Sequence, residues 1–155
     1  MDNNLSLKNK KILIISLISF FIVFLDQLTK YLILKNFNVN ETVPIINNVF
    51  DLTLIKNTGA GFGILKNFNF LLIMISIAVI GIIFYYFKKI KENQLLLQVL
   101  AAFILGGALG NLIDRARLGY VVDFLDFRIW PVFNIADSFV TVGIIGLIVY
   151  LWKKG

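Results

Sequence analysis

Asn111, Asp114, Arg115, Asp123, Asp126, Asn134 and Asp137 fall close together in a chain that is otherwise overwhelmingly apolar. They are mostly carboxylates and carboxamides, groups that cost free energy among lipid-facing helices unless they are paired or functional. Two Asn-x-x-Asp units, Asn111 with Asp114 and Asn134 with Asp137, set an amide and an acid on one helix face by their three-residue spacing. Two carboxylates a few ångström apart in a partly desolvated site do not both ionise cheaply, so they share a proton and titrate as a pair. Such a pair is a hydrolytic device. The ionised member deprotonates a water that attacks a carbonyl, and the protonated member donates to the carbonyl oxygen. Asp137 has two available partners, Asp114 and Asp123, and spacing does not choose between them. The plainer reading of the same residues pairs Asp114 with Arg115 or Arg117 and makes Asp137 the cap of a helix start.

Histidine and cysteine are absent from the chain. That inventory excludes Ser-His-Asp triads, Cys-His dyads, disulfide scaffolds and zinc sites of the usual Cys/His kind. Chemistry is left to carboxylates, lysine, hydroxyls and tyrosine.

The elements that must position these groups are helices through lipid. Of 155 residues, 59% are hydrophobic and only 15% charged, with a mean hydropathy of +0.86, far from the balance of a soluble domain. Four stretches are apolar enough to cross a hydrocarbon core: residues 12–34, 68–87, 94–113 and 133–152. The third is rich in small residues, which lets a neighbouring helix approach closely. The net charge of +6 suggests nucleic acid until its positions are mapped. Lys8, Lys10, Lys11, Lys88, Lys89, Lys91, Lys153 and Lys154 lie in the N-terminal tail, the second connection and the C-terminal tail, which four spans place on one side. The positive-inside rule makes that side, and both termini, cytoplasmic. The first span has the basic start and apolar run of a secretory signal, but Asp26-Gln27-Leu28-Thr29-Lys30 stands where a small-residue cleavage site belongs, so it reads as a permanent anchor.

Residues 36–67 and 114–132 are expected outside the spans. Phe50, Leu52 and Leu54 alternate with Asp51 and Thr53, the pattern of a strand lying at the bilayer surface. The strand leads into a glycine-dense turn at residues 57–63. The fold class expected is therefore a membrane all-α core of four transmembrane helices with a small extracytoplasmic β-strand and loop segment, residues 1–155 forming one integral membrane domain.

Five segments resemble, in order and over nearly the whole chain, the lipoprotein signal peptidase (signal peptidase II) family. They are Asp26-Gln27-Leu28-Thr29-Lys30, Asn57-Thr58-Gly59-Ala60-Gly61-Phe62-Gly63, Gly107-Ala108-Leu109-Gly110-Asn111-Leu112-Ile113-Asp114-Arg115, Val121-Val122-Asp123-Phe124 and Phe133-Asn134-Ile135-Ala136-Asp137-Ser138. The resemblance implies an aspartic endopeptidase of the bacterial cytoplasmic (inner) membrane. It would remove signal peptides from diacylglyceryl-modified prolipoproteins by cutting before the lipid-modified cysteine at the outer interface. It implies Asp123 and Asp137 as the catalytic pair and Asp114 as a structural residue holding Arg115 or nearby backbone. Asn57, Asn111, Arg115 and Asn134 then line the site and hold substrate backbone or lipid-bearing groups. Asp26 and Lys30 match a polar pair of the first span, and their four-residue spacing favours an intrahelical ion pair. The partners implied are the prolipoprotein and membrane lipid, with no cofactor, metal or nucleic acid, and a monomeric enzyme. The family usually has Ala where this chain has Gly61, which adds backbone freedom to the turn.

Residues 53–62 are expected to cover the site from outside and supply Asn57, with Phe124, Phe127 and Trp130 as an interfacial aromatic belt. Three other chemistries are open to the same residues. One is cation or proton transport, which the position of the acids at span ends argues against. The others are a Ser138–Lys30 dyad and a carboxylate metal site at Asp123, Asp126 and Asp137.

Overall fold

Each long apolar run becomes a helix because helices alone satisfy every backbone group within one segment in hydrocarbon. The computed structural model describes residues 2–60 and 64–154. Gly61, Phe62 and Gly63 of the glycine-dense turn lie outside the described residues, as do the side chains of Asp2 and Lys8. The elements run α1 (Asp2–Asn36), β1 (Thr42–Ile46), β2 (Phe50–Asn57), α2 (Asn69–Phe87), α3 (Leu95–Leu118), β3 (Val121–Asp126) and α4 (Ile135–Trp152). All four helices contain a stretch long and apolar enough to cross a membrane.

Helix α3 is the centre of the bundle, packing against α1, α2 and α4. Its small residues make this possible. A Cβ on Gly106 would sit 2.9 Å from Ile22 Cβ of α1, and one on Gly107 would run into the Ala136 carbonyl oxygen and lie 2.6 Å from Val140 Cγ2 of α4. Ser19 Oγ of α1 also donates to the Ala102 carbonyl at 3.1 Å. The third helix extends past the expected residue 113 to Leu118, so Asp114, Arg115 and Arg117 are helical rather than in the loop. It stops at Gly119, whose φ of +82° lets its N–H bond back to the Arg115 carbonyl at 3.2 Å, the left-handed ending that glycine tolerates best.

The segments outside the spans build a three-stranded antiparallel sheet of order β1-β2-β3. The sequence reading contained only the middle strand. Strand β3 pairs Ile55 with Asp123 and Asn57 with Val121. Its apolar side packs on α1: Leu54, Val122 and Phe124 bury themselves with Ile33. Phe124 is thus core and not part of an interfacial belt, whereas Phe127 and Trp130 are exposed. The polar side of β2 is also buried, because Thr53 donates to Asp126 Oδ2 at 2.9 Å and Asp51 is held by Arg128, Nε to Oδ2, at 2.6 Å. Asp51 and Asp126 face each other in register, and the Arg128 guanidinium offsets a like-charge pairing that destabilises a sheet.

The two ends of the bundle differ in charge. At one end Lys11 Nζ donates to the carbonyls of Phe87 (3.3 Å) and Ile90 (2.8 Å), tying the start of α1 to the lysine-rich α2–α3 connection. The other end carries the sheet and the cluster of acids.

Packing through α3 sets a clear expectation. Gly107→Ala presses a methyl onto the α4 backbone and should cost about 1–3 kcal/mol, read as a lower midpoint of thermal unfolding in detergent. Gly81→Ala, which meets nothing within 4 Å, should hold or raise the midpoint; equal losses in the two variants would contradict close α3–α4 packing.

Candidate active site

The acids are arranged around one buried lysine. Lys30 is 2% exposed and its ammonium lies 2.8 Å from Asp26 Oδ2, 3.0 Å from Asp114 Oδ2 and 3.0 Å from Asn111 Oδ1. Three protons meet three acceptors, so the cation is satisfied without water. The expected intrahelical Asp26–Lys30 pair is present. Asn111 and Asp114 share the lysine because their spacing puts them on one face of α3. Gln27, whose role the sequence reading missed, adds Nε2 bonds to Asp114 Oδ1 (2.9 Å), the Gly110 carbonyl (3.2 Å) and Asp26 Oδ2 (3.3 Å).

Asp114 and Asp26 each also fix a backbone amide elsewhere. Asp114 Oδ2 accepts from Val122 N at 3.0 Å, and Asp26 Oδ1 accepts from Ala136 N at 3.0 Å. Val122 precedes Asp123, and Ala136 precedes Asp137. Asp114 therefore pairs with Lys30 and β3 backbone; the alternative, that it pairs with Arg115 or Arg117, is not what the structure shows.

Asp123 and Asp137 face a common cavity of about 230 Å³, which Asn57, Ala60, Arg115 and residues 130–133 also line. Asp114 and Asp126 are not on its wall. Asp123 takes an amide proton on each oxygen, from Asn57 Nδ2 at 2.8 Å and Asn134 Nδ2 at 2.7 Å. Asp137 accepts from Asn111 Nδ2 at 2.7 Å. The direction of all three amides is set at their other ends. Asn57 Oδ1 accepts from Gly59 N (2.9 Å), Asn134 Oδ1 from Asp137 N (2.8 Å) and Asn111 Oδ1 from Lys30, so each NH₂ must point at a carboxylate. Burial and the charge of Asp137 push the Asp123 carboxyl up to about 7, against the pull of the Asn57 and Asn134 amides.

Asp137 also opens α4. Asn134 is extended at the N-cap, its side chain bonds Asp137 N, and Asp137 returns a bond to Asn134 N, a reciprocal cap. Capping and a place on the cavity wall are thus one arrangement. Asn111 and Asn134 lie behind the two carboxylates, and Asn57 and Arg115 are the expected binding residues that reach the cavity. Arg115 is steadied by the Gly59 carbonyl at 3.4 Å. Ser138 Oγ donates to the Asn134 carbonyl at 3.0 Å and Lys30 is fully engaged, so no Ser-Lys dyad forms. Asp126 is turned to the sheet, accepting from Thr53 and from Arg128 N at 2.8 Å. The run Val121-Val122-Asp123-Phe124-Leu125-Asp126, between Gly119 and Pro131 and expected outside the spans as loop, carries a strand signal of its own.

Four membrane-crossing helices with a small sheet beside paired acids define a class of polytopic membrane enzyme. Two solved structures of bacterial membrane enzymes have this architecture, one at 38% identity and a TM-score of 0.85 over 90% of this chain and 87% of the other. The second gives 37% and 0.83 over 91% and 94%. The family model described as "Signal peptidase (SPase) II" matches residues 18–153, and the chain belongs to the signal peptidase II family, a family of peptidases. It is 49% identical to the lipoprotein signal peptidase of Halothermothrix orenii over 86% of this chain and 91% of that protein. It is 50% identical to that of Caldanaerobacter subterraneus over 87% and 93%.

Lys30→Met would strand two buried carboxylates, with an expected loss of about 3–5 kcal/mol, seen as low yield and a depressed thermal midpoint. Asp114→Asn, which keeps an acceptor for Val122 N, should lower the midpoint less and retain part of the peptidase activity; a parental midpoint for Lys30→Met would contradict the central role of the lysine.

Proposed function

We propose that the protein is an aspartic endopeptidase that removes signal peptides from diacylglyceryl-modified prolipoproteins, cutting before the lipid-modified cysteine. The observation that carries this reading is the shared cavity of Asp123 and Asp137 at one end of an apolar bundle, each acid held by amide donors. Relatives named lipoprotein signal peptidase support the substrate class. The lysine-rich opposite end supports an orientation with both termini cytoplasmic, which puts the cavity at the extracytoplasmic interface of the bacterial inner membrane.

The mechanism follows from one proton on two carboxylates. The ionised aspartate takes a proton from water as its oxygen bonds to the scissile carbonyl carbon, and the protonated aspartate gives its proton to the carbonyl oxygen. Collapse of the tetrahedral diol breaks the C–N bond. The aspartate that took the water's proton gives it to the leaving amine, which becomes the new N-terminus of the lipid-modified cysteine, while a diol hydroxyl returns a proton to the other aspartate and the signal peptide leaves as a carboxylate. Asn57 and Arg115 face the substrate. Asn111 and Asn134 hold the acids in place, and Asp26, Lys30 and Asp114 support them. The end of β2 and the residues just after it, with Asn57 and Ala60 on the cavity wall, cover the site and limit bulk water. The substrate enters laterally from the bilayer, its lipid tails remaining in hydrocarbon.

Asp123→Asn and Asp137→Asn should each lower cleavage of a diacylglyceryl-modified prolipoprotein by about 10²–10⁴-fold or more, in protein that purifies as a folded, monodisperse species. Near-parental cleavage by either variant would refute the dyad. The pH profile is the second check. The raised Asp123 keeps its proton up to about 7, so activity should fall on the alkaline side with an apparent pKa near that value, belonging to the pair. For stability the sign is opposite to that of a salt-bridged acid. Between the ordinary aspartate value of about 3.9 and about 7, the folded state holds a proton that the unfolded chain has lost. Stability therefore declines as pH rises through that window, and Asp123→Asn should flatten the slope.

A further inference from the structure

The end of the bundle remote from the acids contains a cavity of about 560 Å³ between α2 and α4, floored by α3. Its walls are apolar from Ala101 and Ile104 outward, while Tyr86, Lys89, Gln94, Tyr150 and Lys154 gather at its mouth. Gln94 opens α3 and Ile104 lies ten residues on, so the cleft reaches about 15 Å into the bundle at 1.5 Å per residue. Helices α2 and α4 each pack on α3 and leave the cleft open to the side.

The two lysines at the mouth are held by rings. Lys89 Nζ lies 4.9 Å from the Tyr85 ring and 4.8 Å from the Tyr86 ring, and Lys154 Nζ lies 5.0 Å from that of Tyr150. Among the described residues neither has a carboxylate within ion-pair reach. Gln94 Nε2 donates to Tyr150 Oη at 3.3 Å, joining the rims of α3 and α4. Two cations over a deep apolar slot match one ligand chemistry, a phosphate with a hydrocarbon tail.

We propose that this cleft binds one anionic diacyl phospholipid, its phosphate between Lys89 and Lys154 and one acyl chain along the slot toward Ala101 and Ile104. Charge selects this occupant over the others available in a membrane. A signal segment brings its own basic n-region and would be repelled, and a second copy of the chain would present the same lysines at the same depth. The proposal does not depend on the catalytic reading, because the cleft lies at the opposite end from Asp123 and Asp137.

Detergent-purified protein mixed with dioleoylphosphatidylglycerol or dioleoylphosphatidylcholine and examined by native mass spectrometry tests it. The parent should retain one phosphatidylglycerol per chain, with a preference of about thirtyfold for two lysines acting on one headgroup. Lys89→Gln with Lys154→Gln should abolish the preference, and Lys88→Gln with Lys153→Gln, which removes two charges beside the cleft, should keep it. Equal retention of the two lipids by the parent, or equal loss in the two double variants, overturns the proposal. Should the first double variant not fold, Ala101→Phe fills the slot and leaves the lysines; undiminished retention of phosphatidylglycerol by that variant overturns it as well.

Discussion

A single ammonium group sets the geometry of the acid-rich end. Lys30 is buried in a helix that lipid surrounds, where an isolated cation is untenable, and it is tolerated because Asp26, Asp114 and Asn111 supply one acceptor for each proton. The acids in turn bind backbone that is not their own. Asp114 holds Val122 N and Asp26 holds Ala136 N, so the same ion cluster fixes the residues next to Asp123 on β3 and next to Asp137 on α4. A strand and a helix that are distant in sequence are thereby locked to α1 and α3, and the two cavity acids inherit their placement from that lock. The arrangement is strong only when complete, since removal of one partner leaves uncompensated charge where water does not reach.

Close helix packing is the second constraint, and the first depends on it. The Lys30 side chain of α1 meets Asn111 and Asp114 of α3 because the helix axes approach across Gly106 and Gly110. A Cβ on Gly110 would lie 2.6 Å from Asp26 Oδ2, inside the ion cluster itself. The glycines of α3 are therefore as much part of the polar site as of the apolar core.

Much of this was legible in the sequence, for reasons that differ by element. The spans announce themselves because hydrocarbon demands about 20 apolar residues and forbids unpaired backbone. The Asp26–Lys30 and Asn111–Asp114 relations follow from helical spacing alone. What spacing does not carry is contact between elements. The choice of Asp123 over Asp114 as the residue facing Asp137 depends on β3 turning back over α1, and the strand was hidden because Gly119 ends α3 later than hydropathy suggests. Spacing gives Arg128 no partner either. It is in fact the counter-ion of Asp51, a carboxylate that the alternation of β2 marked only as polar and that the sheet buries. Phe124 is expected in the aromatic belt because residues 114–132 read as loop; as part of β3 it falls on the same face as Val122 and packs against Ile33 of α1.

The use of amides rather than cations around Asp123 and Asp137 has a physical logic. A lysine or arginine bonded directly to either acid would favour its ionised form and remove the proton that the proposed mechanism has the pair share. An amide NH₂ orients a carboxylate with a dipole and leaves its protonation free to change. Lys30 is hydrogen-bonded to Asp137 only through Asn111, which accepts from the ammonium and donates to the acid, although its charge also reaches both acids through space. Arg115 lies on the cavity wall and donates to the Gly59 carbonyl. Apart from Arg115, the cations that reach the two acids thus sit one layer behind the cavity, and the acids that face it are hydrogen-bonded by dipoles whose direction backbone N–H groups and one lysine fix. That separation lets a buried site be rigid in geometry and, in the proposed mechanism, still labile in its proton.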